Sequence, residues 1–303
     1  MQNPRRKILL LGYGEMGHAM QHLLTERHDL TLWQRTPRDG SRPVTPESLV
    51  AQCQVVLFCL PTPPHFDLLT RLRPMLSHQT LCLSIAKGLD EQGRTPADVF
   101  NQVLGTTVPN GVLYGPMIAE EIRAGKPAFA ELAVNDDQYW QPAAALFRGS
   151  QLHVEPSPDR VGIAWSAVLK NVYAILFGVA DELKLGDNMR GHLAVGALRE
   201  ISTIVTRVGG QATTPYQLAG LGDLITTATS AGSHHHELGR LLVRGQRDAI
   251  RGEGIHTLQI LRALPWFTSA TLPLLHVVDR CVRDPDGIRR TMQDYLAQLD
   301  LPA

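Results

Sequence analysis

Lys7–Gly17 reads KILLLGYGEMG, an apolar strand (Lys7–Gly12) that runs straight into Gly12-Tyr13-Gly14-Glu15-Met16-Gly17. The spacing is that of the dinucleotide fingerprint G-x-G-x-x-G. In that motif the first glycine allows a tight turn, the second lets backbone approach a pyrophosphate, and the third permits close helix–strand packing. Glu15–Arg27 follows as a predicted helix, whose N-terminus offers N–H groups and the positive end of a dipole to phosphate oxygens. Gly12, Gly14, Glu15, Met16 and Gly17 are therefore the expected cofactor contacts. A glycine-rich structural turn has the same letters. Its context, after a strand and before a helix at the start of the chain, favours the binding reading.

Outward from this motif, strands and helices alternate. Leu30–Arg35, Gln54–Leu60 and Thr80–Ala86 read as further strands, with others near 111–114 and 128–134 and a helix near His65–Leu76. Continuous apolar strands separated by helices predict a parallel sheet covered on both faces. From about Asp159 the strand signals vanish. Helical segments take over at roughly 159–182, 188–207, 233–244, 271–282 and 284–299. The expected fold class is thus an α/β Rossmann-type doubly wound parallel sheet followed by an all-α C-terminal domain. The boundary is set at Glu155-Pro156-Ser157-Pro158, giving a dinucleotide-binding domain over 1–158 and a helical substrate domain over 159–303.

Composition narrows the class. The chain has 303 residues, 44% hydrophobic and 19% charged, as in soluble globular proteins of two domains. Its formal net charge is zero, so nothing points to nucleic acid. Cys53, Cys59, Cys82 and Cys281 have no metal-ligand spacing and read as reduced core thiols of a cytoplasmic protein. The run Ile163–Ala180 (IAWSAVLKNVYAILFGVA) approaches the length of a membrane span, but Lys170 and Asn171 at its centre favour a buried core helix.

Lys170 is the only charge in that run. Burial disfavours an ammonium unless an anion sits nearby, and a lysine brought toward neutrality is a usable general acid or base. The alternative is a stem that packs while its head snorkels to water. At the end of the second strand, an acidic residue would select NAD by binding the ribose hydroxyls. Trp33-Gln34-Arg35-Thr36-Pro37-Arg38 instead has no carboxylate before Asp39. Arg35 and Arg38 are available to a 2′-phosphate, so NADP(H) is the preferred cofactor and NAD(H) a possible one. Arg35 stacking on adenine without discriminating is the other reading.

Further motifs occur in a fixed order. They are Leu83-Ser84-Ile85-Ala86-Lys87-Gly88-Leu89, Gly115-Pro116-Met117-Ile118-Ala119-Glu120-Glu121, Ala167-Val168-Leu169-Lys170-Asn171-Val172, Leu185-Gly186-Asp187-Asn188-Met189-Arg190, Gly220-Leu221-Gly222-Asp223-Leu224-Ile225-Thr226-Thr227 and Gly252-Glu253-Gly254-Ile255. Over nearly the whole chain this series resembles the NAD(P)-dependent glycerol-3-phosphate dehydrogenases. The resemblance implies reduction of dihydroxyacetone phosphate to sn-glycerol 3-phosphate, with Lys170 as general acid and Lys87 stabilising negative charge on the carbonyl oxygen. It further implies that Asp223 binds a substrate hydroxyl or orients Lys170. Helix capping is the other role open to Asp223. Asn171 and Thr227 match polar substrate positions, Asn188 and Arg190 a segment near the site, and Glu253 a position near the nicotinamide. A homodimer, a phosphorylated small-molecule substrate and no resident metal are implied as well.

The departure from the family falls at the substrate phosphate. Where the family has serine, arginine and asparagine, this chain has Ser233-His234-His235, followed by His236. Arginine is always charged and grips phosphate with a planar fork, whereas histidine carries charge only when protonated. Met16 also replaces an aromatic, and Met117-Ile118 replaces Ser/Thr-Phe. His234 and His235 either bind phosphate from a helix N-terminus, or the substrate carries a different or no anionic group. Consecutive helical residues point about 100° apart, so a shared metal ion is disfavoured. Two other classes stay open: a different small-carbonyl reductase on the same plan, and an NADP(H)-binding sensor without turnover.

Overall fold

The computed structural model describes residues 4–36, 44–230, 233–246 and 252–299. The chain divides into two compact units, Met1–Ala164 and Trp165–Ala303.

The first unit opens with β1 (Lys7–Leu11), α1 (Glu15–Leu24), β2 (Asp29–Trp33), α2 (Pro46–Val50), β3 (Val55–Phe58) and α3 (His65–Leu72). It continues with β4 (Leu81–Ser84), α4 (Pro96–Leu104), β5 (Asn110–Tyr114), α5 (Ala119–Arg123), β6 (Ala128–Val134), α6 (Trp140–Ala144) and β7 (Leu152–Pro156). The strands form one sheet in the order β2-β1-β3-β4-β5-β6-β7. Successive side chains of a strand point to opposite faces. Accordingly Ile8, Leu10, Val55, Leu57, Leu81 and Leu83 join one apolar cluster with Met20 and Leu23 of α1. Leu9, Leu11, Val56, Phe58 and Cys82 join another with Leu69 of α3 and Phe100 of α4. That is the doubly wound arrangement read from the unbroken apolar strands.

Two features depart from the expected parallel sheet. β6 runs antiparallel to β5. α5 has only five residues. At 1.5 Å per residue it spans about 7 Å, less than half the roughly 16 Å length of β5, so it cannot return the chain to the starting end. The chain turns at Gly125, with φ +75°, and re-enters where it left. The second departure is β7, which pairs in parallel with β6 as an edge strand where the sequence suggested a linker. Only Leu152 of β7 is buried, so no apolar alternation marks it, and an edge tolerates Pro156.

α7 (Arg160–Glu182) starts in the first unit, where Arg160 donates to the Asn110 side-chain oxygen at 2.7 Å. α7 is long and apolar enough to cross a membrane, yet its apolar window is wholly buried within the protein, as in a core helix. The rest of the second unit is helical: α8 (Asp187–Arg207), α9 (Asp223–Thr229), α10 (His234–Val243), α11 (Glu253–Leu261), α12 (Pro273–Arg283) and α13 (Ile288–Leu299). α9 was foreseen only through the capping role open to Asp223, and α11, short and glycine-led, was not apparent in the sequence.

Two devices hold these helices. The buried Glu200 carboxylate of α8 accepts from the N–H groups of Leu274 (2.6 Å) and Leu275 (2.9 Å) at the start of α12, and from the Tyr173 hydroxyl of α7 (2.8 Å). Burial pushes the Glu200 carboxyl upward, against these hydrogen bonds. The second device is a backbone-to-backbone crossing of α7 and α10. A Cβ on Gly178 would lie 1.8 Å from the His236 carbonyl oxygen, and one on Gly239 2.1 Å from the Ile175 carbonyl oxygen. Gly178→Ala must therefore push α10 off α7. We expect a loss of about 2 kcal/mol in urea unfolding, typical of overpacking; wild-type stability would mean that the crossing is not a fixed contact.

Candidate active site

The glycine loop follows β1. Gly12 takes φ +99°, and a Cβ there would lie 2.9 Å from the Cys59 backbone. A Cβ on Gly17 would lie 2.4 Å from the Gly12 carbonyl oxygen, so the helix packs directly on the turn. Gly14, the residue capping α1, has open space where a side chain would start and no side-chain cap bond. The three glycines thus divide turn, close packing and open approach as the fingerprint requires. The open position at the N-terminus of α1 fits a pyrophosphate. Glu15 is exposed and pairs with Arg123 of α5 at 2.6 Å, while Met16 packs at the edge of the sheet cluster. Glu15 is thereby engaged within the protein. The Gly12 N–H donates to the Trp33 carbonyl at 2.9 Å, which ties the glycine loop to the end of β2. Arg35 is exposed just beyond that tie. Arg38 lies outside the described residues.

Lys87 follows β4, at the carboxyl end of the parallel strands. It is half-buried, and its ammonium donates to the Gly115 carbonyl oxygen at 2.9 Å. The loop after it is fixed by Asp90, which is buried, accepts the Arg94 N–H at 2.9 Å and pairs with the Arg94 guanidinium at 2.7 Å.

In the second unit, Lys170 is buried in the middle of α7. Its head does not snorkel. The ammonium donates to the Thr227 hydroxyl at 2.6 Å and pairs with the Asp223 carboxylate at 3.1 Å. Asp223 and Thr227 are one turn apart, a spacing that puts both on one helix face. Asp223 is the first residue of α9 and enters it from a π-turn, Leu218–Gly222, in which the Gly222 N–H donates to the Gln217 carbonyl. Gly220 makes this turn possible, because a Cβ there would lie 2.0 Å from the Pro215 carbonyl oxygen. The first glycine of Gly-Leu-Gly-Asp-Leu thus permits the turn that leads into Asp223. The hydroxyls of Thr226 and Thr229 donate back to the carbonyls of Gly222 and Ile225, whereas that of Thr227 receives the Lys170 ammonium.

Asn171 is buried beside Lys170, and its carbonyl oxygen would lie 3.2 Å from a Cβ on Gly254 of α11. The His235 ring meets the same point, at 2.9 Å. Glu253 is the first residue of α11, adjacent to Gly254. Asn171, His235 and the start of α11 therefore converge next to Lys170 in sequence and space.

The three histidines separate into three environments. Ser233 caps α10, accepting the His236 N–H. His234 is exposed and His235 half-buried. His236 is buried, with its ring 2.7 Å from Asp181, which also binds Arg190 (2.6 Å) and Arg240 (3.4 Å). Burial pushes the Asp181 carboxyl up, but hydrogen bonds from Arg190 and His236 hold it below the usual carboxylate range. Arg190 is thereby placed about three turns of α7 away from Lys170, and Asn188 is exposed. No group of His, Cys, Asp or Glu among the described residues is arranged to hold a metal. The Asp181–His236 tie has no signal in sequence spacing.

Two family models match the chain. The one described as NAD-dependent glycerol-3-phosphate dehydrogenase N-terminus covers residues 43–140, and that described as its C-terminus covers 159–292. A protein of Acaryochloris marina named glycerol-3-phosphate dehydrogenase (NAD(P)+) is 33% identical over 96% of this chain and 94% of its own. One of the same name from Agrobacterium fabrum is 29% identical over 97% and 98%. A crystal structure of glycerol-3-phosphate dehydrogenase from Coxiella burnetii superposes with a TM-score of 0.84 at 25% identity, covering 96% of this chain and 99% of that one.

The open position at Gly14 separates binding from folding. Gly14→Val places a branched side chain where a pyrophosphate would approach, at a residue whose φ of −87° suits any amino acid. We expect an unchanged melting temperature and a dissociation constant for NADPH raised at least about tenfold in a fluorescence titration. Undiminished binding would remove Gly14 from the cofactor site.

Proposed function

The chain belongs to the NAD-dependent glycerol-3-phosphate dehydrogenase family and is an NAD(P)-dependent dehydrogenase acting on a CH–OH group, and on that premise we propose that it interconverts dihydroxyacetone phosphate and sn-glycerol 3-phosphate, with Lys170 as the proton donor and acceptor. The observation that carries this reading is the buried Lys170 ammonium held between Asp223 and Thr227. In this reading residues 1–158 serve the dinucleotide and residues 159–303 the substrate.

When bound, the nicotinamide cofactor supplies a hydride to the carbonyl carbon. Gly12, Gly14, Gly17 and the N-terminus of α1 would hold its pyrophosphate, with Glu15 and Met16 on the same turn, Arg35 would serve a 2′-phosphate, and Glu253 would serve the nicotinamide end. Lys170 gives one Nζ proton to the carbonyl oxygen as that oxygen gains charge, and takes it back in the reverse direction. Asp223 remains a carboxylate throughout and keeps the ammonium in place. Thr227 holds the same Nζ from the next turn of α9 and has its own hydroxyl hydrogen to offer a substrate oxygen. Asn171 contributes polar contact beside Lys170. Lys87 adds a second cation for developing negative charge.

His235 and His234 are read as the contacts to the substrate's anionic end. His235 is the better placed, since its ring adjoins Gly254 and the Asn171 carbonyl. His236 is held by Asp181 instead. A neutral imidazole can donate one hydrogen bond, and a protonated one adds charge, so phosphate binding through these residues strengthens at lower pH. The same substitution favours a second reading, in which the carbonyl substrate carries another anionic group or none.

The purified protein should oxidise NADPH with dihydroxyacetone phosphate but not with free dihydroxyacetone, with a lower KM at pH 6 than at pH 8. Tight NADPH binding without turnover of the phosphate ester would pass the chain to the second reading. Lys170→Ala should lower kcat at least about a hundredfold, the scale of general acid catalysis, with NADPH binding retained. Near wild-type turnover in that variant would end the proposed mechanism. Arg35→Ala should raise the KM for NADPH several-fold, on the order expected for loss of a charged phosphate contact, and leave that for NADH unchanged.

A further inference from the structure

Between β3 and β4 lies a buried polar chain that none of the roles above uses. His65, the first residue of α3, is fully buried. One ring nitrogen, Nδ1, lies 3.1 Å from the Pro61 carbonyl oxygen. A carbonyl only accepts, so Nδ1 carries the hydrogen. Burial pushes the imidazole down to about 4, against the hydrogen bonds at Pro61 and Thr62 and the charge of Asp90. At neutral pH the ring is therefore neutral and Nε2 is an acceptor. Nε2 lies 3.0 Å from the Ser84 hydroxyl, which donates to it. The same Ser84 oxygen accepts the Ala86 N–H at 3.2 Å.

Every member of this chain has one orientation. The His65 ring is also clamped between aromatic neighbours, with centroids 5.1 Å from Phe58 and 6.5 Å from Phe100. Ser84 is the last residue of β4, and Ala86 immediately precedes Lys87. Downstream, Asp90 and Arg94 fix the other end of the same loop. The backbone carrying Lys87 is thus gripped on both sides; upstream, the Ile85 N–H donates to the Phe58 carbonyl at 3.2 Å, and the residue next to Lys87, Ala86, is held through one serine hydroxyl and one imidazole.

We propose that His65 and Ser84 are positioning residues for Lys87, fixing the turn from which its ammonium reaches the Gly115 carbonyl and the reacting oxygen. This rests on the reading of Lys87 as the second cation of the reaction. Neither side chain touches substrate. Without the Ser84 hydroxyl, the Ala86 N–H and His65 Nε2 lose their partners together, and the loop relaxes. A displacement of an ångström at a charge-stabilising group costs rate rather than ground-state binding.

The test is a set of double-mutant cycles on the full-length protein, read as kcat and KM with NADPH and dihydroxyacetone phosphate. The variants are Ser84→Ala, His65→Phe and Lys87→Ala, alone and combined. His65→Phe refills the space between Phe58 and Phe100, so the proposal does not depend on one variant folding. Ser84→Ala and His65→Phe should each lower kcat about fivefold or more, with the KM for NADPH within about twofold of wild type. In the Lys87→Ala background neither should lower kcat further, because the group they position is gone. Losses that multiply in that background would overturn the positioning role and leave Lys87 untouched, as would wild-type kcat in both single variants. A Lys87→Ala variant with full kcat would overturn the reading of Lys87 and this proposal together.

Discussion

The second unit is organised around one ammonium taken out of water. Burying Lys170 in an apolar helix costs several kcal/mol of lost hydration, and one carboxylate and one hydroxyl offset that cost only with good geometry. A leucine at this position would pack into α7 without any such demand. The geometry is supplied by an irregular segment: a π-turn, with Gly220 pressed on the Pro215 carbonyl, delivers Asp223 to the first turn of α9. Asp223 and Thr227 then face Lys170 from adjacent turns. An interaction this costly to bury, assembled from local irregularity, supports the proton-transfer role proposed for Lys170.

Around that pair the helices are set by close contact rather than by apolar stripes alone. α7 and α10 meet backbone to backbone at Gly178 and Gly239, and the buried tie of His236 to Asp181 fixes the rotation of α10 about that contact. Three consecutive histidines point in different directions on a helix, and this tie decides which does what. With His236 turned to Asp181, His235 comes to lie over Gly254 and His234 to face outward.

Most of the first unit could be read directly from the sequence. Unbroken apolar strands and the glycine spacing are local signals, and each glycine of Gly12, Gly14 and Gly17 has the environment its position in the motif demands. β7 was hidden because only Leu152 is buried, and the reversal of β6 because direction depends on the length of a connecting helix, not on strand composition. In the second unit, the lone lysine of an apolar run announced itself. Asp223 was open as its partner through family resemblance alone, and the bond to Thr227, read only as a substrate position, was not foreseen, since no spacing rule joins residues so far apart. The Asp181–His236, Glu200–α12 and His65–Ser84 contacts are of the same kind. Each is a polar pair closed by tertiary packing, and sequence periodicity carries no trace of it.

The departure at His234 and His235 falls on one kind of interaction. Lys170, Asp223, Thr227 and Lys87 are the groups proposed to meet charge as it develops, and each has a side-chain or backbone partner in the structure. His234 and His235 are proposed to act on a part of the substrate that does not change during the reaction. Contacts to an unreacting group contribute equally to ground and transition states, so they tune KM and specificity while leaving the chemical step intact. A chain can therefore exchange arginine for histidine there, making substrate affinity sensitive to proton concentration, without rebuilding the buried lysine site. Altering Asp223 would remove the carboxylate paired with a buried ammonium, and α7, which carries that ammonium, is also the helix on which Glu200, His236 and α10 are assembled.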